Sequence, residues 1–232
     1  LMDARYISGD KALYKTFTTR FDKECVNKGQ EDFLDLRRDD LRRRHGKYSH
    51  TVFLQEPHVK ESCGGLRDYQ NILWVARVKE GFTNLQQLVD ARLITKSTCR
   101  QLNAGYDFLH RVRNDLHYDS GRCSDILTLR LQGVVATNFK YPQKSILRRC
   151  EAFMRDYYRH TRAIYSHCTS LMEHFEIEHQ ERSNNGLLGI IPFTGKKKAK
   201  TEKFDGFFSR NGRIFLDDQE ALEEDPNRLM RL

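Results

Sequence analysis

Lys60, Gly64, Gly65, Arg67 and Asp68 lie in a single nine-residue stretch, and their types and order suit the binding of a polyphosphate. Two adjacent glycines can take positive φ and let a ligand come close to the backbone. The amides that follow, at Leu66, Arg67 and Asp68, stand at the start of a predicted helix. At that position backbone donors are unpaired and the helix dipole is positive. The ammonium of Lys60 and the fork of Arg67 flank the turn, which adds charge-assisted donors to the amides. The same residues equally suit a glycine turn that opens an amphipathic helix, with both cations solvated.

The elements that must position this group are legible around it. Pro57 biases Glu56 towards an extended conformation, and a helix is predicted from Leu66 to Lys79, stopped by Gly81. Before it, a helix is predicted over Asp10–Lys28, with Leu13, Phe17, Phe21 and Cys25 on one face and Gly29 at its end. A second helix over Glu31–His45 carries a run of arginines and leads into the motif, which brings Arg44, His45 and Tyr48 near it. After the motif come a short helix over Leu85–Ala91 and a longer one capped by Thr95 and running to Tyr118. Leu102, Tyr106, Leu109, Val112 and Leu116 form its inward face. Arg113 and His117 are four residues apart and so share a face, which we expect to look towards the Gly64 turn. Asp125 suits the cap of the next helix, with Arg122 as its partner.

The longest helix is predicted to start at Pro142, a good first helical residue. From Leu147 through Cys150, Met154, Tyr157, Thr161, Ile164, Cys168 and Leu171 to Phe175, apolar and small residues recur at steps of three and four. That is a bundle seam. Arg148, Arg155, Arg159 and Arg162 lie on another face beside Tyr158, and His160, His167 and His174 are too far apart for one metal. Beyond residue 182 the composition changes to a flexible basic loop over 183–203, whose Lys196–Lys200 run reads as solvated. Residues 204–216 then read as a hairpin about Asn211-Gly212, and Asp225-Pro226 opens a final helix.

Composition sets the outer bounds. The chain has 232 residues, 38% hydrophobic and 31% charged, enough for a good core. No apolar run approaches the roughly 18 residues of a membrane span. The formal charge of +8 favours anionic partners such as nucleotides. Nucleic acid is disfavoured, because there is no recognition motif and no aromatic platform interleaved with basic residues. The six cysteines are scattered without metal spacing and read as reduced cytosolic thiols, hence a cytoplasmic protein. The chain begins on Leu1 and ends within a helical pattern, as expected of a piece of a longer protein.

The stretch Glu56-Pro57-His58-Val59-Lys60-Glu61-Ser62-Cys63-Gly64-Gly65-Leu66-Arg67-Asp68-Tyr69-Gln70 resembles the signature of the PII uridylyltransferase (uridylyl-removing) family. That family shows E-P-x-V-K-E-x-x-G-G-L-R-D-x-Q after its nucleotidyltransferase core. The chain departs at Ser62-Cys63, usually Gly-Pro, and at His58, usually Asn. Three further blocks carry the resemblance: Leu1–Gly9, the string from Phe108 to Leu127 that includes Arg113, His117 and Asp125, and the Glu151–Arg159 segment with the hairpin after it.

The resemblance implies that Leu1–Gly9 is the end of the nucleotidyltransferase sheet. Asp3 then stands where a third metal-binding carboxylate can sit beside Arg5, although it equally suits a strand-end surface residue. The two principal metal carboxylates would lie upstream of Leu1, since no D-x-D strand motif occurs in the chain. The resemblance further implies UTP as substrate, Mg²⁺ as metal and a PII signalling protein as acceptor of UMP. Lys60, Gly64, Gly65, Arg67, Asp68, Arg113 and His117 are the implied nucleotide-binding positions, with Asp68 more a brace for Arg67 or a helix cap than a metal ligand. The expected fold is mainly α: a helical bundle over 10–182 with a strand remnant over 1–9 and a small C-terminal β-hairpin within 204–232. No H…HD…D set is present, so the piece alone is expected to lack both catalytic activities. Other nucleotidyltransferases, of adenylyltransferase or signalling type, and a basic nucleic-acid-binding helical protein are the alternatives.

Overall fold

In the computed structural model the described residues are 2, 4–121, 123–187, 202–204, 207–210 and 213–216, with side chains described as far as Phe175. The chain divides into two compact units, Leu1–Gln180 and Glu181–Leu232. The described residues are mainly helical.

The order of helices follows local signals. Asp10 caps α1 (Lys11–Phe21) by accepting from the amides of Ala12 and Leu13, and a π-helical turn over Asp22–Val26 extends it. Next come α2 (Gln30–Lys47) and the motif helix α3 (Leu66–Glu80), which Gly81 ends at φ +73°. Asn84 caps α4 (Leu85–Asp90), Thr95 caps α5 (Lys96–Ser120), and Thr128 caps α6 (Leu129–Asn138). The long helix is α7 (Ile146–Leu187). In the second unit, β1 (Glu202–Phe204), β2 (Phe207–Arg210) and β3 (Arg213–Leu216) pair antiparallel in sequence order. Asn211 and Gly212, the expected hairpin turn, lie outside the described residues.

Helix α3 packs against α2 and α5, and α5 against α4 and α6. The core they share with α7 includes Val59, Ile72, Val75, Leu88, Leu109, Leu116, Phe153 and Ile164, all essentially removed from water. The predicted α7 seam is buried from Met154 through Tyr157, Thr161, Ile164, Cys168 and Leu171 to Phe175. Its first member, Leu147, is 64% exposed.

Two expectations are corrected. Among the described residues of Leu1–Gly9 the expected strand does not form: residues 4–7 have no regular structure and a bend follows. A strand exists only with a partner to complete its ladder, and here Tyr6 and Tyr14 instead tie the segment by donating to the carbonyls of Gly9 and Ala4. Helix α7 starts at Ile146 rather than Pro142. The Arg149 guanidinium donates to the carbonyls of Gln143 and Lys144, and the Tyr141 hydroxyl donates to Asp156, which together hold the preceding turn out of the helix. On α1, Leu13 is 68% exposed while Phe17 and Phe21 are half-buried.

Candidate functional site

The loop between α2 and α3 carries the motif, and two clusters of side chains hold its two ends. At the glycine end, Asp68 on the first turn of α3 is wholly buried. Its carboxylate accepts from Arg44 Nη2 at 2.9 Å and from the Gly64 amide at 2.8 Å, and lies 2.9 Å from His45 Nε2. Arg44 also donates to the Glu61 carbonyl at 3.2 Å. Burial alone would lower the Arg44 pKa, but Asp68, with Asp40 and Glu61, reverses that and raises it overall. Beside this cluster, burial and then the Asp68 charge push the Cys63 thiol up to about 11, so it stays protonated and inert near neutrality.

Both glycines are buried. Gly64 has φ +72°, and a Cβ there would lie 2.0 Å from the Thr161 carbonyl oxygen of α7. A Cβ on Gly65 would lie 2.8 Å from the carbonyl oxygens of Val59 and Lys60. The pair therefore lets the Thr161, Val59 and Lys60 carbonyls pass close to the backbone on the side that a Cβ would occupy.

The amides expected to bind anions are committed as well. Leu66 N–H donates to the Val59 carbonyl at 3.1 Å, Arg67 N–H to that of Lys60 at 2.9 Å and Asp68 N–H to that of Gly65 at 3.0 Å. The loop folds back so that its own carbonyls cap α3. The helix start consequently has no unpaired backbone donor at these positions, which differs from the expectation of free amides at Leu66, Arg67 and Asp68. Asp68 braces Gly64, Arg44 and His45 rather than Arg67.

What the loop leaves accessible is side-chain charge. Arg67 is held by the Trp74 ring, 5.4 Å from its guanidinium carbon, and by Glu61 Oε1 at 3.4 Å. Lys60 Nζ lies 3.9 Å from the same Glu61 oxygen. Two cations from opposite sides of the turn thus converge on one carboxylate oxygen. Their side chains remain 33% and 26% exposed for Lys60 and Arg67 respectively.

At the other end, Asp125 accepts from Arg113 Nε at 2.8 Å and lies 2.8 Å from His117 Nε2. Burial alone would raise the Asp125 pKa, but the bonds from Arg113 and His117 outweigh it and hold the carboxyl below its ordinary value. The Asp125 carbonyl accepts from Val59 N–H at 2.8 Å, and Leu127 N–H donates to the Pro57 carbonyl at 2.9 Å. His58 and Ile126 form an antiparallel bridge. Arg113 and His117 are therefore joined to the motif loop through Asp125. The expectation that Asp125 caps the next helix is corrected: Thr128 caps it, and the Glu56 carboxylate accepts from Leu129 N–H at 2.9 Å. Arg122, its expected partner, and Asp3 both lie outside the described residues.

Arg44, His45 and Tyr48 do sit at the motif, with the Tyr48 ring 6.5 Å from that of His58. Sequence reasoning missed the joining of Arg113 and His117 by Asp125 and the support of Arg67 by Trp74. The i, i+4 and i, i+7 relations of those pairs were available signals. Among the described residues no group of His, Cys, Asp or Glu side chains is arranged to hold a metal.

The profile of the GlnD PII-uridylyltransferase family matches residues 32–172, a stretch from α2 into α7 that contains both clusters. The chain belongs to this family. It is similar to the bifunctional uridylyltransferase/uridylyl-removing enzyme of Burkholderia vietnamiensis, 32% identical over 99% of this chain and 25% of the relative. The enzyme of that name from Caulobacter vibrioides is 28% identical over 100% of this chain and 25% of the relative. That from Burkholderia mallei is 38% identical over 77% of this chain and 20% of the relative. The chain spans about a quarter of the length of the first of these relatives.

Proposed function

We propose that this chain serves the transfer of UMP from UTP to a tyrosine of a PII signalling protein, as the helical domain that closes the nucleotide site. Lys60 and Arg67 meet the triphosphate. Gly64, Gly65 and Asp68 hold the loop from which those two cations project, and Arg113 and His117 hold its far end through Asp125. The observation that carries this reading is the convergence of Lys60 Nζ and Arg67 Nη2 on Glu61 Oε1, at 3.9 and 3.4 Å. That carboxylate oxygen marks a point where two cations already meet an anion, and a phosphate oxygen offers the same charge with more acceptors. Hydrogen bonds and cation–π contact fix Arg67 before any ligand arrives, which lowers the ordering cost of binding.

Mg²⁺ accompanies UTP in the proposed reaction, but the described residues do not form a site for it. Asp3 is the one position in the chain proposed for a metal carboxylate. The antiparallel strands β2 and β3 of the second unit are proposed to lead towards a hydrolase domain. A cytoplasmic setting accords with six free cysteines and with the finding that no described helix is long and apolar enough to cross a membrane.

The test is uridylylation by the full-length enzyme carrying Lys60→Ala or Arg67→Lys. Each variant is expected to lose at least about tenfold in kcat/KM for UTP, the scale of one charge-assisted hydrogen bond. Wild-type rates and UTP dependence in both would refute the phosphate role.

A further inference from the structure

Helix α7 has two working faces. One is buried and brings the Thr161 carbonyl against Gly64. The other carries Arg155, Arg159 and Arg162, all exposed, at steps of four and three that place them in one stripe. Beside the stripe runs a shallow open groove of about 800 Å³, with Phe53, Tyr158 and Met154 as its apolar lining. Phe53 is 63% exposed, a large aromatic surface with nothing over it among the described residues. Its ring meets that of Tyr158 edge-on at 5.4 Å, and the Tyr158 hydroxyl donates to the Leu54 carbonyl at 2.8 Å. The aromatic floor is thereby fixed to the segment that leads into the motif loop.

The charges around this floor are unbalanced. Arg159 pairs with Asp156 at 3.3 Å, and Glu151, a carboxylate lining the groove, pairs with Arg148 at 3.0 Å. Arg155 and Arg162 make no ion pair among the described residues. They stand seven residues apart on one helix, roughly 10 Å along its axis. Carboxylates that share a face of an extended chain stand two residues apart, about 7 Å, a span that two long arginine side chains can close. Exposed arginines about a fixed aromatic pair are the composition of a protein-recognition surface. Single-stranded nucleic acid also stacks on aromatics beside arginines. Here, however, the ion pairs of Glu151 and Asp156 interrupt the stripe, which suits discrete contacts to separate side chains rather than a continuous phosphate backbone.

We propose that this groove docks the protein that accepts the nucleotidyl group, through a segment with carboxylates for Arg155 and Arg162 and an apolar side chain that covers Phe53 and Tyr158. The proposal rests on the reading above for the existence of a protein acceptor. Docking on α7 would place the acceptor on the helix that backs the Gly64 turn.

The experiment measures acceptor binding to the full-length enzyme by fluorescence anisotropy without nucleotide, and then steady-state rates. Arg155→Glu combined with Arg162→Glu should raise the Kd and the KM for the acceptor protein by at least about tenfold. The KM for UTP and the melting temperature should stay as in wild type. Phe53→Ser should weaken acceptor binding about threefold or more, and Arg148→Glu, outside the groove, should change it less than about twofold. An acceptor Kd unchanged in the double variant overturns the proposal. So does displacement of the acceptor by a uridine oligonucleotide that binds more tightly, or a UTP KM that rises together with the acceptor KM. Failure of the nucleotide reading is distinct: it appears as normal UTP dependence in the Lys60 and Arg67 variants, with acceptor binding untouched.

Discussion

Two aspartates hold the ends of the same loop, each bound by one arginine and one histidine, yet they sit in different surroundings. Asp68, with Arg44 and His45, is wholly buried and also takes the Gly64 amide. Asp125, with Arg113 and His117, is 13% exposed and engages the loop through its backbone carbonyl. In the buried cluster the carboxylate is the acceptor on which three donors depend, so its removal strands an arginine in the interior. In the outer cluster water can replace what is lost. The same side-chain types thus give a fixed keystone at one end of the loop and a titratable clasp at the other.

The comparison fails first, if it fails, at Asp68. Asp68→Ala should destabilise the protein by about 3–5 kcal/mol in urea denaturation, the usual cost of breaking a buried ion pair by removing one partner. A loss below about 1 kcal/mol would show that Arg44 and His45 find other partners. Gly64→Ala should be comparably severe, at least about 3 kcal/mol, because a Cβ would meet the Thr161 carbonyl at 2.0 Å and L residues resist φ +72°. Thermal unfolding of this variant against Gly81→Ala separates the two causes, since Gly81 has φ +73° but nothing within 4 Å of an added Cβ. Equal losses would show that conformation rather than contact matters at Gly64.

Asp125→Asn should cost less, about 1–2 kcal/mol, and should depend on pH. The folded pKa of Asp125 lies below its unfolded value. Its stabilising contribution is therefore fully present above the unfolded value, near 3.9, and is lost as pH falls through the folded pKa. The gap between wild type and Asp125→Asn should therefore shrink as the pH falls through the acid range. A gap that persists undiminished at the acid end would place the role of Asp125 in its shape rather than its charge.

Local chemistry made much of the helical order legible. Thr95 before α5, Gly81 after α3 and the three-four spacing from Met154 to Phe175 each act through neighbours close in sequence. The misreadings required information from farther away. Leu1–Gly9 has the alternation of a strand, but pairing depends on a partner that no local pattern supplies. Asp125 has the residue type of a cap, whereas its position is set by Arg113 and His117 twelve and eight residues earlier in α5. A helix start ordinarily leaves donors unpaired, which is the local expectation for the Leu66, Arg67 and Asp68 amides. The return of the Val59 and Lys60 carbonyls over that start is a property of the folded loop. Amphipathic spacing also identified an apolar face on α1 without specifying what covers it, and Leu13 remains exposed.

The central claim is that the glycine turn is closed by the chain itself, so that phosphate is met by side chains alone. Amide hydrogen exchange at Gly64, Leu66, Arg67 and Asp68, followed by NMR with and without pyrophosphate, tests it most directly. The account predicts slow exchange at all four before any anion is added, little change afterwards, and a ligand-dependent shift of the Arg67 side-chain resonance. Rapid exchange at these amides in the free protein, with strong protection on adding pyrophosphate, would contradict it.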